Sequence, residues 1–251
     1  MRYPMDAQPR KHIEPHITES SRIRDLVFGF GDGINTSLGI ISGVGGVVVA
    51  ADIVILAALV GMFTGAKAMA VQNYLAVKSQ REVLESEIKR EKFEIENVPD
   101  KERQEIEDIY MAKGFRGDDL RRIVNKITSD KDVWLKTMLT EELGINLEIV
   151  GSPIKSALVM FGAFLLGGII PILPYFAVKA GFLQSSTAIG IAIGLSLTSS
   201  FIIGAIKSRI AKKNWVRGGI EMAVLGTGIA LVGYGIGSEL SKVGIVNVSG
   251  G

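Results

Sequence analysis

The residues with the most chemistry to offer are carboxylates in two unlike settings. Asp32 stands deep inside an apolar run, DLVFGFGDGINTSLGIISGVGGVVVA, that extends from Asp25 to Ala50. A stretch of about twenty mostly apolar residues crosses a bilayer, and an ionisable group near its centre is expensive unless it faces protein, water or an ion. Asp32 therefore marks either an ion route or a structural hydrogen bond to backbone loosened by Gly29, Gly31 and Gly33. The first reading is favoured because intramembrane acids usually mark ion routes. One turn on, Asn35 and Thr36 offer further oxygens, for an ion or for the backbone.

The second setting is charged and helical in pattern. Glu91 with Glu94, and Glu102 with Glu105, repeat one spacing of three residues, which puts each pair on one helix face. A turn at Val98 and Pro99 would fold the first helix on the second and bring four carboxylates together. Met138 and Glu142, four residues apart on a later helix, add a thioether and a fifth carboxylate. Such a set, without His or Cys, suits a hard to borderline divalent ion such as Fe²⁺ or Mn²⁺, whereas Zn²⁺ and Cu²⁺ favour nitrogen and sulfur ligands. On spacing alone, solvated Glu-rich and Lys-rich faces remain the simpler reading.

Composition says which elements must carry these groups. In 251 residues, 47% are apolar and 22% charged, and mean hydropathy is +0.33, so apolar and charged stretches must be segregated. Residues 79–150 hold twelve Glu and six Asp against thirteen Lys and Arg, a balance of −5, while the rest of the chain is at +7. A net charge of +2 gives no reason to expect nucleic acid as a partner. Cysteine is absent, and both histidines, His12 and His16, lie near the N-terminus, which excludes thiolate chemistry and a His-based centre in the body. No nucleophile and base pair or nucleotide cradle is present, so an enzyme is not expected.

The fold class expected is all-α: a polytopic membrane protein with five transmembrane helices and a helical insert between the second and third. Residues 1–24 read as a polar tail, 25–78 as spans one and two, 79–151 as the acidic insert, 152–240 as spans three to five, and 241–251 as a C-terminal tail. Pro171 and Pro174 are expected to kink or end span three. The first apolar run lacks a small-residue cleavage site and reads as a span, not a removable signal. Gly29 with Gly33, Gly39 with Gly43 and Gly233 with Gly237 form small-xxx-small patterns that allow helices to approach closely.

Basic residues orient the scheme. The loop between spans four and five carries Lys207, Arg209, Lys212, Lys213 and Arg217, whereas the loop after span three has only Lys179. The positive-inside rule then puts the N-terminus and residues 79–151 in the cytoplasm and the C-terminus outside. Asp32 lies eight residues past Arg24 and Met69 nine before Lys78. At 1.5 Å per residue both sit roughly 12 to 14 Å from the cytoplasmic end, an acid and a thioether at one level.

Several segments together resemble the vacuolar iron transporter family. They are RDLVFGFGDG, GAKAMAVQNYLAVKSQRE, MLTEELG, SPIKSALVMFGAFLLGGIIPILPY and RGGIEMAVLGTGIALVGYGIG, and the resemblance covers nearly all of the chain from Arg24 onward. It implies a homodimer exporting Fe²⁺ from the cytoplasm in exchange for protons, with the ion path between the first spans of the two subunits. Asp32 and Met69 match the family's intramembrane pair. Glu91, Glu94, Glu102, Glu105, Met138 and Glu142 match the ligands of its cytoplasmic metal-binding domain. Fe²⁺ or Mn²⁺ is then cargo, and no prosthetic group is expected. Two positions depart from the family's pattern. Gln72, Asn73 and Tyr74 stand where many relatives have Gly-Glu-Tyr, so Asn73 offers the path an amide oxygen but cannot carry a proton. Met138 is followed by Leu139, where relatives often have a second methionine, which broadens the expected selectivity toward Mn²⁺. The host membrane would be the cell membrane in a prokaryote and the vacuolar membrane in a eukaryote. The competing reading is a membrane-anchored protein that sequesters metal or docks a partner without transport. A carboxylate at mid-depth argues for the carrier.

Overall fold

The structure is a computed structural model that describes residues 16–45, 50–144 and 151–242. Eight helices follow one another: α1 (His16–Gly45), α2 (Ala51–Asn97), α3 (Pro99–Ala112), α4 (Gly117–Thr128), α5 (Lys131–Glu141), α6 (Pro153–Lys179), α7 (Ser185–Ile210) and α8 (Trp215–Lys242). The described residues contain no strand. Two compact units divide the chain, one of residues 75–152 and one of everything else, and α2 runs through both. The expected N-terminal tail lies outside the described residues up to residue 15, and from His16 onward, still inside the polar stretch, the chain is helical. The C-terminal tail from residue 243 onward is also outside them.

In the larger unit, α2, α6, α7 and α8 are each long and apolar enough to cross a membrane. The described part of α1 is not among these four. It has the length, but Asp32, Asn35, Thr36, Ser37 and its glycines dilute its hydropathy. Val47, Val48 and Val49, which the apolar run counted on, lie outside the described residues. The close seams of the unit join α1, α6, α7 and α8. Glycines make them possible: a Cβ on Gly29 would stand 2.7 Å from the Met160 carbonyl oxygen of α6, and one on Gly233 of α8 would stand 2.7 Å from that of Gly39. Gly29, Gly39 and Gly233 each belong to one of the three small-xxx-small patterns noted in the sequence. A stripe at every fourth residue of α7, from Ala188 through Ala192, Ser196, Ser200 and Gly204 to Ser208, is buried throughout and gives that helix a narrow packing edge.

Of the two outcomes expected of the span-three prolines, an end to the helix does not occur. Helix α6 continues through Pro171 and Pro174 to Lys179, and both prolines are buried. Pro removes a backbone donor, but in a membrane bundle neighbouring helices and local adjustment can satisfy the freed groups. The apolar core of the unit gathers Val54, Ala58, Met62 and Ala66 of α2 with Phe164, Ile172 and Tyr175 of α6.

The smaller unit is built from the distal part of α2 with α3, α4 and α5 around Ile95, Ile106, Leu120, Val124, Ile127, Trp134 and Met138. Each turn has its local cause. Pro99 opens α3. Gly114, at φ +98°, lets the chain leave α3, and the Phe115 amide donates back to the Tyr110 carbonyl at 3.1 Å. Asp130 caps α5, its carboxylate accepting from the amides of Asp132 at 2.9 Å and Val133 at 3.2 Å.

Candidate metal centre

The turn at Val98 and Pro99 reverses the chain between α2 and α3, and the two glutamate pairs meet across it. Carboxylate oxygens of Glu91, Glu94 and Glu102 lie within 4.8 Å of one another, and so do those of Glu102, Glu105 and Glu142. Glu102 is the shared corner of two adjoining triads, so all five glutamates expected from spacing come together. Glu91 and Glu102 are each only 1% exposed. Glu91 Oε1 and both Glu102 oxygens have no hydrogen-bond partner.

Buried polar atoms are nearly always paired, so three unpaired oxygens of two neighbouring carboxylates call for a partner, either a proton shared between them or a cation. The electrostatics agree. Burial, reinforced by the charges of Glu142 and Glu102, pushes the Glu91 carboxyl up to about 8. Burial and the Glu105 charge raise Glu102, and burial with Glu105 raises Glu142. A divalent ion would replace this repulsion with attraction. At the exposed rim, the Lys101 ammonium contacts Glu105 at 2.9 Å and Glu102 at 3.8 Å, and the Arg90 guanidinium reaches Glu94 at 3.8 Å. The spacing argument missed these two cations; their signal was Lys101 beside Glu102 and Arg90 four residues before Glu94.

Met138 lies one turn before Glu142, whose amide donates to the Met138 carbonyl at 3.0 Å. Its thioether is fully buried in the apolar core with Ile95 and Ile106, which follow Glu91 and Glu102 by one turn each. The sequence paired Met138 with Glu142 on one face. The structure makes it part of the core that borders the carboxylates.

In the membrane unit, Asp32 of α1 and Met69 of α2 are both half-buried, and Met69 packs against the apolar core. Gly61 of α2 abuts the Ile40 side chain of α1. Eight residues back from Ile40 is Asp32, and eight on from Gly61 is Met69. Equal steps of eight residues, about 12 Å of helix, thus lead from this contact to the acid on α1 and to the thioether on α2. Asn35 belongs to another seam: its Oδ1 is 3.6 Å from where a Cβ on Gly226 of α8 would lie, beside Ser200 of α7.

Asn73 is engaged in a way the sequence did not indicate. Its Nδ2 donates to Ser156 Oγ of α6 at 3.0 Å, and the Ser156 hydroxyl donates to the Asp25 carboxylate of α1. Asp25 is 1% exposed and also accepts from the Arg24 guanidinium at 3.0 Å. Neither Asp25 nor Ser156 was singled out by sequence. The available signal was that Asp25 precedes Asp32 by seven residues, two turns along the same face.

A model of the VIT family matches residues 23–238, which include every candidate site residue named above. The chain belongs to the VIT family. As a VIT-family chain with four apolar helices, it is an integral membrane protein. It is 32% identical to the vacuolar iron transporter of Plasmodium falciparum over 237 residues, 92% of this chain and 87% of that one. It is 29% identical to vacuolar iron transporter 1 of Tulipa gesneriana, with 93% of each chain covered. Against vacuolar iron transporter 1 of Arabidopsis thaliana the identity is 29%, over 86% of this chain and 84% of the relative.

Proposed function

We propose that this VIT-family chain is a divalent metal transporter that carries Fe²⁺, and Mn²⁺ as a second cargo, out of the cytoplasm in exchange for protons. The observation that carries this reading is a five-glutamate cluster, two of whose members are buried with unpaired oxygens, in the same chain as four helices long and apolar enough to cross a membrane. Glutamates 91, 94, 102, 105 and 142 collect the ion on the cytoplasmic side, with Met138 close by. Asp32 supplies charge and Met69 a soft donor where the ion crosses, a pairing suited to iron over harder ions. Asn35 and Asn73 contribute polar surface along α1 and α2. In this reading α1 is a fifth span, two copies associate with the path between them, and the basic loop after α7 keeps the N-terminus cytoplasmic. The iron cargo of the relatives supports the choice of ion.

The test is uptake of Fe²⁺ into liposomes carrying the full chain, with and without a pH gradient. Wild type is expected to load them and Asp32→Ala to lose uptake while unfolding at the same temperature. Unchanged flux in Asp32→Ala removes the pore assigned here. Metal bound without any flux in wild type instead supports sequestration.

A further inference from the structure

The close seams of the membrane unit join α1, α6, α7 and α8, whereas α2 meets its neighbours through side chains. Ile40 lies at Gly61, Phe164 at Gly65 and Met62 at Gly168. Apolar contacts of this kind are non-directional and do not by themselves fix how far one helix has slid along another. Among the described residues, two directional ties hold the first half of α2. One is the exposed ion pair of Asp52 with Lys179, at 2.7 Å, of a class worth little in water. The other is the buried chain from Asn73 through Ser156 to Asp25. Loss of the Ser156 hydroxyl would leave a buried carboxylate and an amide short of a partner, so this tie is the costly one to break.

We propose that Ser156 is a positioning residue for ion selection: by linking Asn73 to Asp25 it fixes the register of α2 on α1 and so holds the Met69 thioether level with the Asp32 carboxylate. The distances along the chain suit this. Asn73 is one turn past Met69 on α2, and Asp25 is two turns before Asp32 on α1, so rigid helix transmits the fixed point in both cases. A slide of α2 carries the soft donor away and leaves Asp32 as a hard oxygen site. Discrimination between Fe²⁺ and a hard ion such as Mg²⁺ then falls. The inference rests on the transport reading, and its test separates the two.

Full-length wild type, Ser156→Ala, Ser156→Thr, Met69→Leu and the Ser156→Ala/Met69→Leu double variant are compared for Fe²⁺ uptake into liposomes, with Mg²⁺ as competitor. Ser156→Ala is expected to raise KM for Fe²⁺ about tenfold with little change in kcat, the loss of one buried hydrogen bond in the site's support. It should also lower the preference for Fe²⁺ over Mg²⁺, and Ser156→Thr should restore both. In the Met69→Leu background, Ser156→Ala should cost no further selectivity, because the two act through one group. Unchanged selectivity in Ser156→Ala, or full additivity in the double variant, overturns the proposal. The chain has no cysteine of its own, so Ile40→Cys with Gly61→Cys forms a single reporter of register. Its disulfide should form several-fold more slowly when Ser156→Ala is added. If even wild type moves no Fe²⁺, the transport reading fails and the cross-linking rate alone decides the register: slower supports it, unchanged overturns it. Should Ser156→Ala not fold, Asn73→Leu breaks the same chain from the α2 side and takes its place.

Discussion

A buried carboxylate with no hydrogen-bond partner works against the fold that contains it until a cation arrives. Glu102 is such a group: neither oxygen is hydrogen-bonded, carboxylates stand on two sides, and the nearest cation, the Lys101 ammonium, is 3.8 Å away. Glu102→Gln is therefore expected to move stability and binding in opposite directions. The metal-free chain should gain roughly 1–3 kcal/mol, because an amide removes one buried charge and much of the repulsion. Affinity for Mn²⁺ should fall by at least about tenfold, since the corner common to both triads loses its charge. Thermal unfolding of the full chain and a Mn²⁺ titration followed through Trp134, one turn before Met138 in the same helix, read the two effects. A variant that is both less stable and equally tight would deny Glu102 this role. The spacing of the glutamate pairs was legible in the sequence because it follows from helix geometry alone. Their burial was not, since a Glu-rich helix reads the same whether its face meets water or another helix. Asp25 was missed for a related reason: at the start of an apolar run it reads as a boundary residue, and only the folded chain brings Ser156 to it.

At the scale of elements, the long apolar helices were legible from composition, and glycine spacing marked places where helices could approach closely without saying which helices would meet. What composition could not supply was register, which depends on side chains meeting across helices far apart in sequence. The α1–α6 seam shows how narrow the tolerance is. A Cβ on Gly33 would run into the Phe164 carbonyl and stand 2.9 Å from the Gly168 amide nitrogen, both of them backbone atoms that cannot rotate away. Gly33→Ala should therefore cost about 3 kcal/mol, toward the top of the usual overpacking range. Gly162, on the same helix α6, has nothing within 4 Å of where a Cβ would stand, and Gly162→Ala should stabilise by about 0.5–1 kcal/mol through lower backbone entropy in the unfolded chain. Unfolding midpoints of the two variants in one detergent decide the matter, and equal midpoints would mean that α1 and α6 are not packed as described. The prolines of α6 mark the limit of local rules. Pro171 and Pro174 argue for a break in any isolated helix, and α6 nevertheless runs on to Lys179 because the bundle surrounds both.

For the whole molecule, the carboxylate cluster makes proton and metal binding alternatives, and this sets how stability depends on pH. Glu91, held up to about 8, and Glu102 and Glu142, raised by burial and neighbouring charge, bind protons more tightly in the folded chain than in the unfolded one. Stability of the metal-free protein therefore falls as pH rises from the ordinary carboxyl range toward 8, because the folded state must give up protons that the unfolded state has already lost. Metal affinity rises over the same interval, since each ion displaces those protons. Unfolding midpoints measured between pH 5 and 8 are expected to decline without metal and to climb with saturating Mn²⁺, so that the gap between the two curves widens with pH. In Glu91→Gln, which has no carboxyl to titrate there, the metal-free decline should flatten. A metal-free midpoint that increases steadily to pH 8, or a slope indifferent to Glu91→Gln, would mean that the cluster does not hold the protons its burial demands. The cluster would then have no protons to exchange for an ion.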